Sequence, residues 1–208
     1  MRLPERGAPM LRLRRLTLSL GLFAALILAG GMSGVTPSQS TRPDAKVPSD
    51  AEVLADFQQR VQQYVELHRR LEGTVPPMRV SEDPADIRAA QDALRSAIRS
   101  ARRGAHRGDI FTPAVERLVR RTIGGCLAGH DVNEVLAAIN EENPPGVSLK
   151  PHLNARYPER ASFAPTPPYM LCSLPQLPEE LQFRFMNRDL ILWDVHANLI
   201  VDFIRKVL

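Results

Sequence analysis

The sequence predicts an α+β protein, with helices in its N-terminal half and a small antiparallel β-meander at its C-terminus. Apolar residues recur every three or four positions between residues 50 and 142, and every second position after Leu181. Between these regions, Pro144 to Pro178 holds nine prolines in 35 residues, a density that disfavours helix and central strand alike. We therefore expect one domain over residues 50–208, in which an extended Pro-rich segment, 143–178, wraps over the helices.

The first 33 residues have the pattern of an export signal. Five arginines precede the mostly apolar run from Leu16 to Ala29, and small residues suited to a signal peptidase follow it. We expect a mature chain that begins near Met32 or Gly34 and works in the periplasm or outside the cell. A retained signal anchor is the alternative, because a helix from residue 16 to residue 35 could nearly span about 30 Å of hydrocarbon.

The net positive charge of the chain comes from this segment. The whole chain has 27 Lys and Arg against 23 Asp and Glu, and its first 33 residues contain five of the arginines and one acid, so the mature chain keeps 22 of each. This balance gives no support to a nucleic-acid partner. Residues 34–49 are rich in Pro, Ser and Thr and poor in large apolar groups, which predicts a disordered leader.

Local signals delimit the first two helices. Asp50 can cap a helix whose apolar positions continue to Leu71, where Gly73 closes it. Asp83 or Ser81 can cap a second helix with Pro84 in its first turn. The pair predicts a helical hairpin.

Two shorter helices should follow. Thr112 is a good N-cap, and Pro113 suits the first helical position after it. Asp131 with Glu134 has the spacing of a capping box for a fourth helix, which Pro144 and its neighbours end.

The last region predicts three strands, within residues 181–204. Leu181, Phe183 and Phe185 alternate with less apolar residues, and a turn at Asn187 leads to a second strand, 189–194. A second turn, in which Asn198 tolerates a left-handed conformation, leads to the strand 199–204. The alternative is a helix over 196–208, since nothing in that stretch would break one.

Three stretches carry a resemblance: GDIFTP at Gly108–Pro113, NARYP at Asn154–Pro158, and the long block at Leu177–Ile204. Together they resemble an uncharacterised family of bacterial exported proteins, which implies export but no activity, cofactor or catalytic residue. The closing block is also similar to the β-meander ending of small periplasmic proteins, including ones linked to nickel and cobalt homeostasis.

Four residues form the one set that resembles metal ligands: Cys126, His130, His152 and Cys172. Cys126 and His130 would share a helix face at i and i+4, although a structural zinc site usually has a second close pair. The cysteines could instead form one disulfide or remain two separate buried thiols. Cys126 with His130 could also be a nucleophile and its base, but no third orienting residue can be assigned.

A row of arginines is the other candidate site. Arg88, Arg95, Arg99 and Arg102 recur at helical spacing beside the apolar seam of the second helix. Guanidinium groups suit phosphates, so an exposed stripe would bind an anionic envelope component or an acidic protein. The alternative is a solvated helix face that binds nothing.

The sequence thus predicts an exported envelope protein that is a non-catalytic binding or structural module, with no catalytic residue and no cofactor. A periplasmic metal-handling protein and a cysteine-dependent enzyme are the alternatives. The membrane would be a partner only through an uncleaved signal segment.

Overall fold

Helices precede a three-stranded sheet along the chain, as a computed structural model shows for residues 47–77, 83–141, 149–158, 170 and 174–208. The helices are α1 (Asp50–Glu72), α2 (Pro84–Ala101), α3 (Pro113–Cys126) and α4 (Val132–Asn140). The strands are β1 (Leu181–Met186), β2 (Asp189–Asp194) and β3 (Leu199–Ile204). The predicted α+β class is confirmed, and the alternative helix over 196–208 is wrong because β3 pairs with β2.

The expected signal segment lies outside the described residues, as do most of the leader and Cys172. Among the described residues, no helix combines the length and the apolar character that crossing a lipid bilayer requires.

Short polar side chains start the helices. Ser49, and not Asp50, caps α1: its hydroxyl accepts the N–H of Glu52, whose carboxylate in turn accepts the N–H of Ser49. Asp50 instead lies in the first turn, where a carboxylate interacts favourably with the helix dipole. Asp131 caps α4 through the N–H of Asn133, not through the predicted capping box.

The caps of α2 and α3 are those that the sequence predicts. Asp83 accepts the N–H of Ala85 and precedes a proline at the first turn. Thr112 caps α3 in the same manner, again with a proline in the first turn.

The sheet is a meander in the order β1-β2-β3, with all pairs antiparallel. Asn187 and Asn198 have φ values of 55° and 47° in the two turns, a left-handed conformation that asparagine adopts more readily than most residues. All six residues of β3 are buried. Both faces of this strand are therefore covered.

The inner face of the sheet packs on the helices. Phe111, which precedes α3, stacks between Phe57 of α1 and Phe183 of β1, at ring-centroid distances of 5.8 and 6.4 Å. Leu94 and Ile98 of α2 complete this part of the core.

The described stretch 149–158 runs along the edge of β3 that β2 leaves free, and it covers part of the outer face of the sheet. Asn154 N–H donates to the carbonyl of Ile200, and Ile200 N–H donates to the carbonyl of Ala155, at 2.9 and 2.8 Å. Tyr157 packs with apolar groups of the outer sheet face. The Pro-rich segment was expected to wrap over the helices, but this part of it lies along the sheet because β3 offers an unpaired edge there.

One buried carboxylate joins the GDIF stretch to the sheet. Asp202 of β3 accepts the N–H groups of Gly108, Ile110 and Phe111, at 3.1, 3.0 and 2.9 Å. Gly108 has a φ of 94°, which suits glycine and bends the chain around the carboxylate. The loop between α2 and α3 is thereby fixed on β3.

Candidate metal centre

Asp194, the last residue of β2, is a fully buried carboxylate with three donors. Oδ2 accepts the hydroxyl of Tyr64 and Nδ1 of His68, both at 2.6 Å, and Oδ1 accepts the N–H of Ala197 at 2.8 Å. Tyr64 and His68 lie one turn apart on the inner face of α1. A buried carboxylate is costly unless it is paired and hydrogen-bonded, and these contacts offset that cost.

The bond to Asp194 determines the tautomer of His68. An ionised carboxylate only accepts, so Nδ1 of His68 must carry a proton. This leaves Nε2 as the second ring nitrogen, and in the described part of the chain it has no hydrogen-bond partner, although His68 has no exposed surface. A buried nitrogen of this kind needs a partner.

Glu72 and His196 face that nitrogen. Nε2 of His68 lies 3.6 Å from Oε2 of Glu72, and Oε1 of Glu72 lies 3.4 Å from Nδ1 of His196. One ligand atom from each of the three residues lies within 4.8 Å of the others. Ligand atoms around a tetrahedral zinc ion are separated by about 3.3 Å, as follows from Zn–N and Zn–O bonds near 2.0 to 2.2 Å.

The fold brings the three side chains together from two elements. His68 and Glu72 are at i and i+4 in the last turns of α1, so they share one face of the helix. His196 comes from the β2–β3 turn, 195–198. Its side chain and that of Glu72 are about one-third exposed, at 35% and 37%, which leaves an approach from solvent.

The turn that carries His196 is fixed from several sides. Val195 N–H donates to the carbonyl of Glu180 at 3.0 Å, and Ala197 N–H donates to Asp194. The Arg95 guanidinium donates to the carbonyl of Ala197 at 3.1 Å. The turn that carries His196 is therefore held by these three hydrogen bonds.

The surroundings of His68 favour positive charge. Burial alone would lower the pKa of His68, but the hydrogen bond and the charge of Asp194, together with Glu72 and Glu180, outweigh it, and the pKa is raised above its usual value. A second cation, a metal ion, would meet the same field. A proton and a metal ion would therefore compete for the same nitrogen.

Glu180 adds a further carboxylate to this region. It is 3% exposed, and its Oε2 has no hydrogen-bond partner among the described residues. Burial would raise the pKa of Glu180, but the hydrogen bond from Arg69 to Oε1 outweighs it and lowers the pKa. The charge of Glu180, paired with Arg69, is one of those that raise the pKa of His68.

Among the described residues, Cys126, His130 and His152 form no cluster of potential metal ligands. Cys126 is the last residue of α3, so the predicted i and i+4 pair with His130 on one helix face is wrong, and both His130 and His152 are exposed. Cys172, and with it the possible disulfide to Cys126, lies outside the described residues. Within the described ranges, the only cluster of three or more potential metal ligands is His68, Glu72 and His196.

The row of arginines on α2 is divided between surface and core. Arg88 and Arg99 are exposed, whereas Arg95 is 8% exposed. Arg102 donates to Asn154 Oδ1 and to the carbonyl of Val201, and its guanidinium lies 5.1 Å from the centre of the Tyr64 ring. The prediction of one exposed stripe is wrong for Arg95 and Arg102, because both reach across to the sheet and to the segment beside it.

In the sequence, His68 falls in the apolar seam of α1 and His196 follows the second strand, so neither position by itself indicates a metal ligand. The spacing of His68 and Glu72 was the local signal, but such pairs are common on helices. The third ligand is 128 positions from His68 in the sequence, and only the docking of α1 on the meander brings it close.

Comparisons of the chain with known protein families, curated proteins and solved structures found no match. The resemblance to exported proteins stays a prediction.

Proposed function

We propose that this chain is an exported binding protein whose ligand is a divalent transition-metal ion, held by His68, Glu72 and His196. One observation carries the proposal: the buried Nε2 of His68 has no hydrogen-bond partner among the described residues and lies 3.6 Å from Glu72, in a cluster where one ligand atom each of His68, Glu72 and His196 lies within 4.8 Å of the others. Leaving such a group unsatisfied costs about 1 to 3 kcal/mol. A bound ion would remove that cost.

The hydrogen bond behind His68 supports the same assignment. Metal-binding histidines usually donate their other ring N–H to a carboxylate, which fixes the tautomer and makes the ligand more basic. Asp194 accepts such a bond from His68 at 2.6 Å. The Tyr64 hydroxyl and the Ala197 N–H in turn fix Asp194.

The donor set indicates which ions are suitable. Two imidazoles and one carboxylate suit zinc and its neighbours cobalt and nickel, whereas magnesium and calcium prefer oxygen ligands. Three ligands from the described residues leave a fourth position for water or another small ligand. We therefore propose that the role of the protein is to bind metal outside the cytoplasm.

Export and an anionic partner are part of this proposal. The arginine-rich, apolar N-terminal segment supports export. Arg88 and Arg99 remain exposed and could contact an anionic envelope component or an acidic protein.

Metal content tests the proposal directly. After dialysis against zinc and then metal-free buffer, the protein should retain about one ion per chain, and cobalt should give the visible spectrum of a tetrahedral site. His196→Gln and Glu72→Gln should each weaken binding about tenfold or more, since each removes a ligand. His152→Gln and His130→Gln are matched controls, because both histidines are exposed and lie outside the cluster.

Two results would refute metal binding. The first is a wild-type protein that retains no stoichiometric metal. The second is a His68 ring that keeps protons on both nitrogens when zinc is added, measured by nitrogen NMR. In that case His68 is a buried imidazolium between Asp194 and Glu72, and the cluster is purely structural.

A further inference from the structure

The position of His196 depends on a contact from a helix that supplies no ligand. Arg95, in the middle of α2, is 8% exposed, and its Nη1 donates to the carbonyl of Ala197 at 3.1 Å. Ala197 follows His196 directly and is completely buried. We propose that Arg95 is a positioning residue for His196 in the metal centre, an inference that rests on the proposed function.

The guanidinium of Arg95 is itself held in place. Its Nη2 pairs with the carboxylate of Asp92, one turn earlier on α2. Asp92 is about half exposed, whereas the Arg95 side chain is 10% exposed. Because the guanidinium is a rigid planar fork, orienting one nitrogen also orients the other toward Ala197.

The contact from Arg95 restrains the turn from the helical side, which its other hydrogen bonds do not. Val195 and Ala197 are held through their N–H groups by Glu180 and Asp194, both next to or within the meander. Arg95 holds the carbonyl of Ala197 and is the restraint that comes from α2. It therefore ties the turn that carries His196 to the helical layer, to which Glu72 also belongs.

The burial of Arg95 has an electrostatic cost. Burial, together with the nearby charges of Arg156 and Arg99, lowers the pKa of Arg95. An apolar residue would fill the same space without this cost. The arginine makes a hydrogen bond to the turn that an apolar residue could not make.

Replacing Arg95 with methionine tests the assignment, since methionine keeps much of the apolar stem and removes the donors. Arg95→Met should weaken cobalt binding about tenfold, the lower range for outer-shell partners of metal ligands, and should alter the visible cobalt spectrum. Arg99→Met, on an exposed arginine of the same helix, is the matched control and should bind within about twofold of wild type.

A double-mutant cycle separates positioning from general destabilisation. If Arg95 acts through His196, then Arg95→Met should have almost no further effect on residual cobalt binding in a His196→Gln background. An equal loss in both backgrounds would refute the inference. If Arg95→Met does not fold, Arg95→Lys, whose donor reaches almost as far as that of arginine, should bind metal better than Arg95→Gln, whose amide donor lies two bonds closer to the backbone than the arginine Nη atoms. Equal binding by these two variants would also refute the inference.

The outcomes distinguish this inference from the proposed function. A wild-type protein without bound cobalt would refute both. A wild-type protein that binds cobalt while Arg95→Met binds it equally well, with the same spectrum, would refute the role of Arg95 alone.

Discussion

At the scale of single residues, two buried aspartates of the meander have different tasks. Asp202 accepts backbone N–H groups of the loop between α2 and α3, so its role is to fix chain geometry. Asp194 accepts a phenol and an imidazole as well as one backbone N–H. Burial, followed by the charge of Asp194, raises the pKa of Tyr64 well above its usual value, so this hydroxyl stays a donor. Asp194 therefore controls the protonation of its neighbours.

His68 should make the stability of the metal-free protein depend on pH. The folded state raises the pKa of His68, so its stabilising contribution is complete below the unfolded pKa of about 6.5 and is lost as pH rises through the folded pKa. Urea unfolding in the presence of a chelator, at about pH 6 and about pH 8, should show a lower unfolding free energy at the higher pH.

The control for this prediction is His68→Gln. Other groups face the imidazole, namely Asp194, Tyr64, Glu72, Glu180 and His196. These groups remain in the variant. A pH dependence that is the same in His68→Gln and wild type would show that His68 does not cause it.

At the scale of elements, the meander is the part of the fold that a charge should damage most. Phe183 is 6% exposed and stacks on Phe111, whereas Gln182 next to it is exposed on the other face of β1. Phe183→Asp should lower the unfolding free energy by about 4 kcal/mol or more, because it removes a buried ring and buries an unpaired carboxylate.

Gln182→Asp is the matched control for that substitution. It should change the unfolding free energy by less than about 0.5 kcal/mol, as is usual for exposed positions. Thermal unfolding of the two variants beside wild type measures both effects. Similar losses in the two variants would contradict the alternation of β1.

The elements could be predicted because their signals are local. Asp83 before Pro84, Thr112 before Pro113 and the left-handed Asn198 each act within a few residues of where they stand. No local signal of this kind shows whether the side chains of the α2 arginines point to solvent or toward the rest of the protein. Arg95 lies beside Leu94 on the helix. Whether its guanidinium contacts water or a backbone carbonyl depends on which part of the chain packs against the helix at that point, here the β2–β3 turn.

The candidate centre could not be predicted for a related reason. His68 satisfies the apolar seam of α1, so periodicity alone reads it as a core position. Its role depends on Asp194 and on the turn after it, which are distant in sequence. Cysteine is a common metal ligand, so the sequence favours Cys126 as a candidate. Within the described residues, however, Cys126 and His152 are not part of a ligand cluster.

At the scale of the whole molecule, the remaining prediction concerns the N-terminal segment. If Leu16 to Ala29 serves as an export signal, mass spectrometry of the protein from its own cell envelope should find an N-terminus between Gly30 and Val35. An intact Met1 form embedded in the membrane would contradict cleavage and favour a retained anchor.

The bonds of Asp202 also determine when the protein can finish folding. Its partners Gly108, Ile110 and Phe111 precede it by 94, 92 and 91 residues. A chain that emerges N-terminus first therefore exposes this loop before the strand that accepts its N–H groups, and contacts of such separation slow folding. Until β3 is present, the N–H groups of this loop lack their carboxylate, so a chain that passed N-terminus first through a narrow channel could complete these contacts only at the end of its passage.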